Sequence, residues 1–253
     1  MLKIASWNVN GIRARQSQVQ DWIDRERPDI VCLQELKATS DQVPAALCEM
    51  EGYWCYWHGG KGYSGVAVHV NKSIAPERPT FTHPDFDFET RIAAVDVMTD
   101  LGGVTVASIY VPNGGKDFPA KMRFLDAMDL YAQSFQSGGR VLVLCGDLNV
   151  ARADIDVHPK ERKPRAIGQL PEERATLERI IGRGLVDVGR ALDPSNDAMF
   201  SWWAPWRNMR ARNIGWRLDY VLASEALASR ATACPVQTAV GTSDHAPVMA
   251  TFV

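Results

Sequence analysis

A chain of 253 residues, 46% hydrophobic and 23% charged, carries enough apolar side chain to offset the entropy of ordering, which excludes a disordered or fibrous protein and allows one large core. Its formal net charge of -2 excludes a protein that coats polyanions by bulk charge, so any nucleic acid must be met by a local basic patch or a bound cation. The five cysteines, Cys32, Cys48, Cys55, Cys145 and Cys234, are odd in number and lack a CxxC pair, and they read as reduced thiols. MLKIASWN shows no secretory-signal pattern and no run approaches a membrane span, so a cytoplasmic protein without membrane contact is expected.

In chain order, residues 2–7 read as a strand and 16–27 as a helix with Val19, Trp22 and Ile23 on one face. Strands follow at 30–34, 65–70, 92–97 and 104–110, each Val/Ile-rich and bounded by Gly, Pro, Asn or Asp. A helix at 119–136 is expected to bury Met122, Leu125, Met128 and Leu130, ahead of a strand at 141–145. A further helix at 172–184 carries Leu177, Ile180 and Ile181, and strands at 218–222 and 248–252 complete the pattern. Residues 80–90 and 154–168 lack periodicity and read as long loops. The GGKGYSG stretch around Gly62 lacks the spacing of a phosphate-binding P-loop and reads as a hairpin turn. With no repeat, linker or composition shift, residues 1–253 are expected to form a single α/β domain of two packed sheets with helices outside.

The apolar runs end in polar residues: Asn8, Gln34-Glu35, Tyr110 with Asn113, Asp147 with Asn149, and Asp219, while Asp244-His245 precedes the last run. Any one of these reads as a turn residue or cap. Strand ends of layered α/β proteins converge on one rim, however, and so many together point to a single polar cleft. Glu35 and Asn8 offer the hard oxygens that Mg²⁺ prefers. Asp147 and Asn149, two apart, point to the same side if the segment stays extended. Residues 202–217 hold Trp202, Trp203, Trp206 and Trp216 with Arg207, Arg210, Arg212 and Arg217 and no acid. Arginines grip phosphates and aromatics fill the space of a missing base, although a buried tryptophan cluster with solvated arginines has the same pattern. Both readings hold if Trp203 packs inward while Trp202, Trp206 and Trp216 line the site. Lys160, Arg162, Lys163 and Arg165 form a second basic run.

Taken in order, SWNVNGIRA, LQELK, GYSGVAV, YVPN, GDLNVA, GWRLDYVLAS and SDHAPV, from Ser6 to Val248, resemble the exonuclease III family of abasic-site endonucleases within the endonuclease/exonuclease/phosphatase superfamily. GDLN and SDH carry the superfamily; LQELK, YVPN and GWRLDY narrow it to the DNA-repair branch. The resemblance implies a four-layered α/β sandwich, two packed mixed β-sheets flanked by helices, of deoxyribonuclease I type. It implies a Mg²⁺-dependent monomer, with Mn²⁺ as a substitute, acting on duplex DNA with abasic sites or 3′ ends. Cleavage 5′ to the abasic site would leave a 3′-hydroxyl, with 3′-to-5′ exonuclease and 3′-phosphatase activities alongside. Carried onto this sequence, the family pattern makes Asn8, Glu35 and Asp244 metal ligands and Tyr110, Asp147, Asn149, Asp219 and His245 catalytic. It places substrate contacts at Asn10, Arg13, Gly62, Tyr63, Asn113, Lys116, Trp202, Trp206, Asn208, Arg210, Trp216 and Leu218. Two positions depart from it: Gln169 stands where an aromatic is common, and Asn10 where some members have Asp. The competing readings are a superfamily phosphatase of small phosphoesters and a catalytically silent DNA-binding protein.

Overall fold

The computed structural model describes residues 1–60 and 62–253; Lys61, inside the expected turn around Gly62, lies outside the described residues. The first sheet contains β1 (Leu2–Asn8), β2 (Ile30–Gln34), β3 (Tyr53–His58) and β4 (Val66–Asn71). The second contains β5 (Phe81–Thr82), β6 (Ile92–Thr99), β7 (Gly102–Tyr110), β8 (Val141–Asp147), β9 (Leu185–Asp187) and β10 (Asp219–Ser224), and the chain then returns to the first with β11 (Ala231–Ala233) and β12 (Val248–Phe252). The sheet orders are β11-β12-β1-β2-β4-β3 and β5-β6-β7-β8-β10-β9. Both are mixed, because β1 runs parallel to β2 and β7 parallel to β8 while the other pairs are antiparallel.

Strand alternation assigns each side chain to a face. Leu2 and Ile4 of β1, Ile30 and Cys32 of β2, Val104 and Val106 of β7, Val143 and Cys145 of β8, and Val221 and Ala223 of β10 meet in one core between the sheets. On the outer face of the first sheet, Ala5, Trp7, Val31 and Leu33 pack against Val19, Trp22 and Ile23 of the helix Gln16–Glu26. On the outer face of the second, Ile92, Ala107, Ile109 and Leu144 pack against the helices Phe118–Ser137 and Pro171–Ile181. Helix, sheet, sheet and helix form the four expected layers.

Three local expectations are corrected. Leu130 is 64% exposed; the buried stripe of its helix runs through Phe124, Leu125, Met128, Ala132 and Phe135, and a residue two places past Met128 sits about 200° round the helix. The sequence reading also lacks β3, β5, β9 and β11, which are edge strands or short pieces. In β3, YWCYWH is aromatic apart from Cys55 and mostly half-buried, so it shows no alternation. Finally, residues 80–90 and 154–168 are not wholly irregular, since they contain β5 and two short 3-10 turns.

Candidate active site

The alternation that fills the inter-sheet core with Ile, Val and Cys delivers polar groups at its end. Continuing the same faces by two residues gives Asn8 after Ser6, Gln34 after Cys32, Tyr110 after Ser108, Asp147 after Cys145, and Asp219 before Val221. Tyr110 and Asp219 both stand in register with Asp147, one on each neighbouring strand. Gly146 makes this register possible, because a Cβ there would lie 1.9 Å from the Ile109 carbonyl oxygen. Beneath the rim the sheets are tied by polar contacts: Gln34 Nε2 donates to Ser108 Oγ at 3.1 Å, and Ser108 Oγ donates to the Leu33 carbonyl at 3.1 Å. These contacts satisfy groups that burial would otherwise penalise.

From the first sheet, Asn8 Nδ2 donates to Asp147 Oδ2 at 2.9 Å. Asn149 reaches the same carboxylate in another way than expected. The strand ends at Asp147, Asn149 turns left-handed with φ 51°, and its backbone N–H donates to Asp147 Oδ1 at 2.9 Å while Nδ2 donates to Oδ2 at 3.2 Å. An Asx-type turn, not an extended segment, brings the two side chains together. His245 Nδ1 lies 2.8 Å from Asp219 Oδ2, and its Nε2 is 3.7 Å from Asp147 Oδ2.

Burial sets the electrostatics. It pushes the Asp147 carboxyl up to about 7, helped by Asp219 and opposed by His245. Burial disfavours charge on His245 too, but the carboxylates of Asp219 and Asp147 outweigh it and raise the imidazole to about 10. His245 is therefore a cation at neutral pH, and the pair of acids around it is partly neutralised. Tyr110 is held well above the ordinary phenol range by burial and then by Glu35 and Asp147, so its hydroxyl remains a proton donor. Asp244 stays below the usual carboxylate range despite burial because of His245, Asn10 and Trp202.

Glu35 follows β2 with φ 56°, and Lys37 (φ 53°) and Asn10 (φ 45°) share the left-handed conformation. Such backbone costs about 1–3 kcal/mol per residue and persists where surrounding bonds impose it. Here Gly11 N donates to Glu35 O at 2.8 Å and Lys37 N to Ser64 O at 2.9 Å. Lys37 Nζ then lies 2.8 Å from Glu35 Oε1 and 2.6 Å from Asn10 Oδ1. Sequence reasoning assigned Lys37 no role, and its only signal was its place in LQELK.

Glu35, Tyr110, Asn113, Asp147, Asn149, Trp202, Trp216, Leu218, Asp244 and His245 enclose one cavity of about 360 Å³, together with Ile167. Ile167 was missed because nothing polar marks it. Trp202 and Trp216 meet edge to face at 5.7 Å between ring centroids, and Trp202 Nε1 donates to Asp244 Oδ2 at 3.1 Å. The donor set suits a hard divalent cation: the Glu35 carboxylate lines one wall, and the buried Asn8, in register with Gln34 beside it, has an amide oxygen that also accepts the Asn10 N–H at 3.0 Å. On the other, the Asp147 and Asp219 carboxylates face His245, whose cationic imidazole is a donor and not a ligand, and Asp219 Oδ1 is buried with no hydrogen-bond partner among the described residues. Asp244, the third expected ligand, lines the same cavity, and its two oxygens accept Asn10 Nδ2 at 2.7 Å and Trp202 Nε1 at 3.1 Å.

Other expected contacts lie elsewhere. Arg13, Gly62, Tyr63, Lys116, Trp206 and Asn208 are exposed outside the cavity, as are Lys160, Arg162, Lys163 and Arg165. Arg91 links one of them to the site, with its guanidinium 5.7 Å from the Tyr63 ring and 4.9 Å from that of Tyr110. Arg210 is not free to grip phosphate: it donates to the carbonyls of Thr238, Val240, Gly241 and Ser243 and so staples the turn before Asp244. Arg217 is 2% exposed and bonded to Asp156 and Asp187, which removes it from the solvated arginines. Trp203 packs inward as expected, and Gln169 is buried in its own loop, bonded to Lys163 N and Glu161 O.

The profile of the Endonuclease/Exonuclease/phosphatase family matches residues 5–245. Exodeoxyribonuclease III of Haemophilus influenzae is 32% identical, the match covering 99% of this chain and 100% of that protein. The solved structure of the Neisseria 3′ phosphatase NExo, bound to a product DNA hairpin, superimposes with a TM-score of 0.88 at 32% identity over 100% of both chains. An AP endonuclease from Archaeoglobus fulgidus gives 0.86 at 31% identity, covering 100% of this chain and 99% of that one.

Proposed function

The chain belongs to the Endonuclease/Exonuclease/phosphatase family, and from that membership we propose a DNA-repair nuclease that hydrolyses the phosphodiester 5′ to an abasic site and leaves a 3′-hydroxyl. Removal of nucleotides or phosphate from 3′ ends is assigned to the same site. The observation that carries this reading is the cavity itself, in which Trp202, Trp216 and Leu218 wall one side and Asp147, Asn149 and His245 form the other. Apolar walls accept a sugar without its base, and the polar side can work on the adjoining phosphate. A small-phosphoester phosphatase has no use for the aromatic wall, and a silent binding protein has no use for Asp147 raised into the range of a general base.

A Mg²⁺ ion held by Glu35 and Asn8 would supply charge neutralisation for the phosphate and the departing oxygen. The chain's own groups do the rest. Asn8 and Asn149 aim the Asp147 carboxylate, whose elevated pKa suits it to accept a proton from the attacking water. The His245 cation, held by Asp219, binds a nonbridging oxygen as negative charge grows there, and the neutral Tyr110 hydroxyl donates to the same phosphate. Wild-type protein is expected to cleave labelled abasic duplex with Mg²⁺ and to lose all cleavage in EDTA, while Glu35→Gln needs at least about tenfold more Mg²⁺ for half-maximal rate. Undiminished turnover of that variant at low Mg²⁺ would remove Glu35 from the site.

Trp216 tests the choice of lesion. Truncation to Ala opens the wall against Trp202, so abasic cleavage is expected to fall about ten- to a hundredfold more than digestion of intact 3′ ends. Both activities are measured on one preparation, because loss of fold would lower them together. A folded Trp216→Ala protein with the wild-type ratio would make Trp216 a packing residue only.

A further inference from the structure

The structure holds a second cluster of metal-ligating side chains that the nuclease site does not use. His58 ends β3, one edge strand of the first sheet, while His83 directly follows β5, one edge strand of the second, and Asp87 lies in the segment after it. These are two of the chain's five histidines, drawn from different sheets, yet their ring centroids are 3.9 Å apart. One ligand atom from each of His58, His83 and Asp87 lies within 4.8 Å of the others. We propose that His58, His83 and Asp87 form a binding site for a zinc-class transition-metal ion that clamps the outer edges of the two sheets together.

The chemistry distinguishes this site from the catalytic one. Two imidazoles and a carboxylate are the donors preferred by Zn²⁺, Co²⁺ and Ni²⁺, whereas Mg²⁺ prefers oxygen alone. Two of the three ligands are also held from outside. Asp87 Oδ1 accepts the backbone N–H groups of Arg91 at 2.8 Å and Ile92 at 3.1 Å, which leaves Oδ2 toward the histidines. The Tyr56 hydroxyl lies 2.8 Å from His83 Nε2 and its ring stacks on Phe81 at 4.9 Å, so that imidazole is positioned by the strand beside it. Such outer partners orient metal-binding histidines. At present His58 Nε2 sits 2.5 Å from Asp87 Oδ2. Neighbouring ligands of a tetrahedral ion with bonds near 2.0 Å stand about 3.3 Å apart, so loading parts His58 and Asp87 by about 0.8 Å and draws His83, whose ligand atom lies within 4.8 Å of theirs, inward by at most about 1.5 Å. His83 is exposed and His58 and Asp87 half-buried, leaving a path for the ion and for water as the remaining ligand. The clamp borders the turn that begins at Gly59 and, through Asp87, the Arg91 that stacks on Tyr110.

The test is zinc uptake by the whole chain, stripped with EDTA and dialysed into Mg²⁺, measured by competition with a chromophoric chelator for wild type, His83→Ala and His58→Gln. Mg²⁺-supported DNA cleavage, which uses neither histidine, reports that each variant is folded. Wild type is expected to bind one more equivalent of Zn²⁺ than either variant, or to bind it at least tenfold tighter. At free zinc near one hundred times Kd its melting temperature should rise by about 5 °C or more beyond the rise of either variant. Zinc binding at the Asp147, Asp219 and His245 group would be common to all three proteins and cancels in the comparison. Equal stoichiometry and affinity in wild type and both variants, or no zinc binding by wild type, would overturn the proposal whether or not the nuclease assignment stands.

Discussion

Removing His245 and Asp219 together is expected to cost little more in rate than removing the worse of the two alone. Each single change, His245→Ala or Asp219→Asn, should lower single-turnover cleavage of abasic duplex by about 10²–10⁴-fold. The reason is geometric. Asp219 faces the imidazole at 2.8 Å from behind and is buried in strand register with Asp147, so it acts on the phosphate through His245. Its charge, with that of Asp147, keeps the buried imidazole protonated up to about pH 10. Since the folded value lies above the ordinary 6.5, this pairing contributes stability fully below pH 6.5 and loses it as pH rises through about 10. Once the cation is gone, Asp219 has nothing to orient. Multiplying losses in the double-mutant cycle would show two independent devices and end the pairing.

Arg217→Met is expected to destabilise the fold by about 3–5 kcal/mol. The guanidinium donates to Asp156 Oδ1 at 2.7 Å and to Asp187 Oδ2 at 2.7 Å. Arg190 meets Asp156 at 2.6 Å and Arg152 meets Asp187 at 3.4 Å, so buried Arg217, Asp156 and Asp187 form the centre of a network whose other two arginines are half-buried at its edge. Losing its central cation leaves two buried carboxylates short of a partner. For a chain of this size the drop in melting temperature should be about 10 °C. Burial opposes ionisation of Asp187, but Arg217 overrides it and holds the carboxyl below its ordinary 3.8; the stability it contributes is complete above pH 3.8 and is lost as pH falls through the lower folded value. The salt dependence of DNA binding, measured well below the melting point, should not change. A drop of about one in its logarithmic slope with unchanged stability would make Arg217 a phosphate contact instead.

Much of the molecule follows from local rules acting on the sequence. Alternation in β1, β2, β7, β8 and β10 and the apolar stripes of the long helices set which faces are buried, and the polar residues that close the apolar runs mark the rim, although β8 continues past Cys145 through Gly146 to Asp147. The ordered motifs from Ser6 to Val248 were sufficient to indicate the family and the nuclease chemistry. What required the tertiary structure is everything that depends on which strand lies beside which. Only sheet pairing places Tyr110 and Asp219 on either side of Asp147, and only sheet-on-sheet packing brings Asn8 to the same carboxylate. A list of charges likewise could not separate the arginines. Arg217 and Arg210 read like their neighbours in a tryptophan-rich run, but Asp156, Asp187 and the carbonyls of residues 238–243 arrive from distant segments and consume their donors. His58 and His83 lie 25 residues apart at the ends of edge strands of different sheets, His58 closing β3 and His83 just past β5, and their meeting has no sequence signature because side-chain periodicity reports the face of an element, never its neighbour.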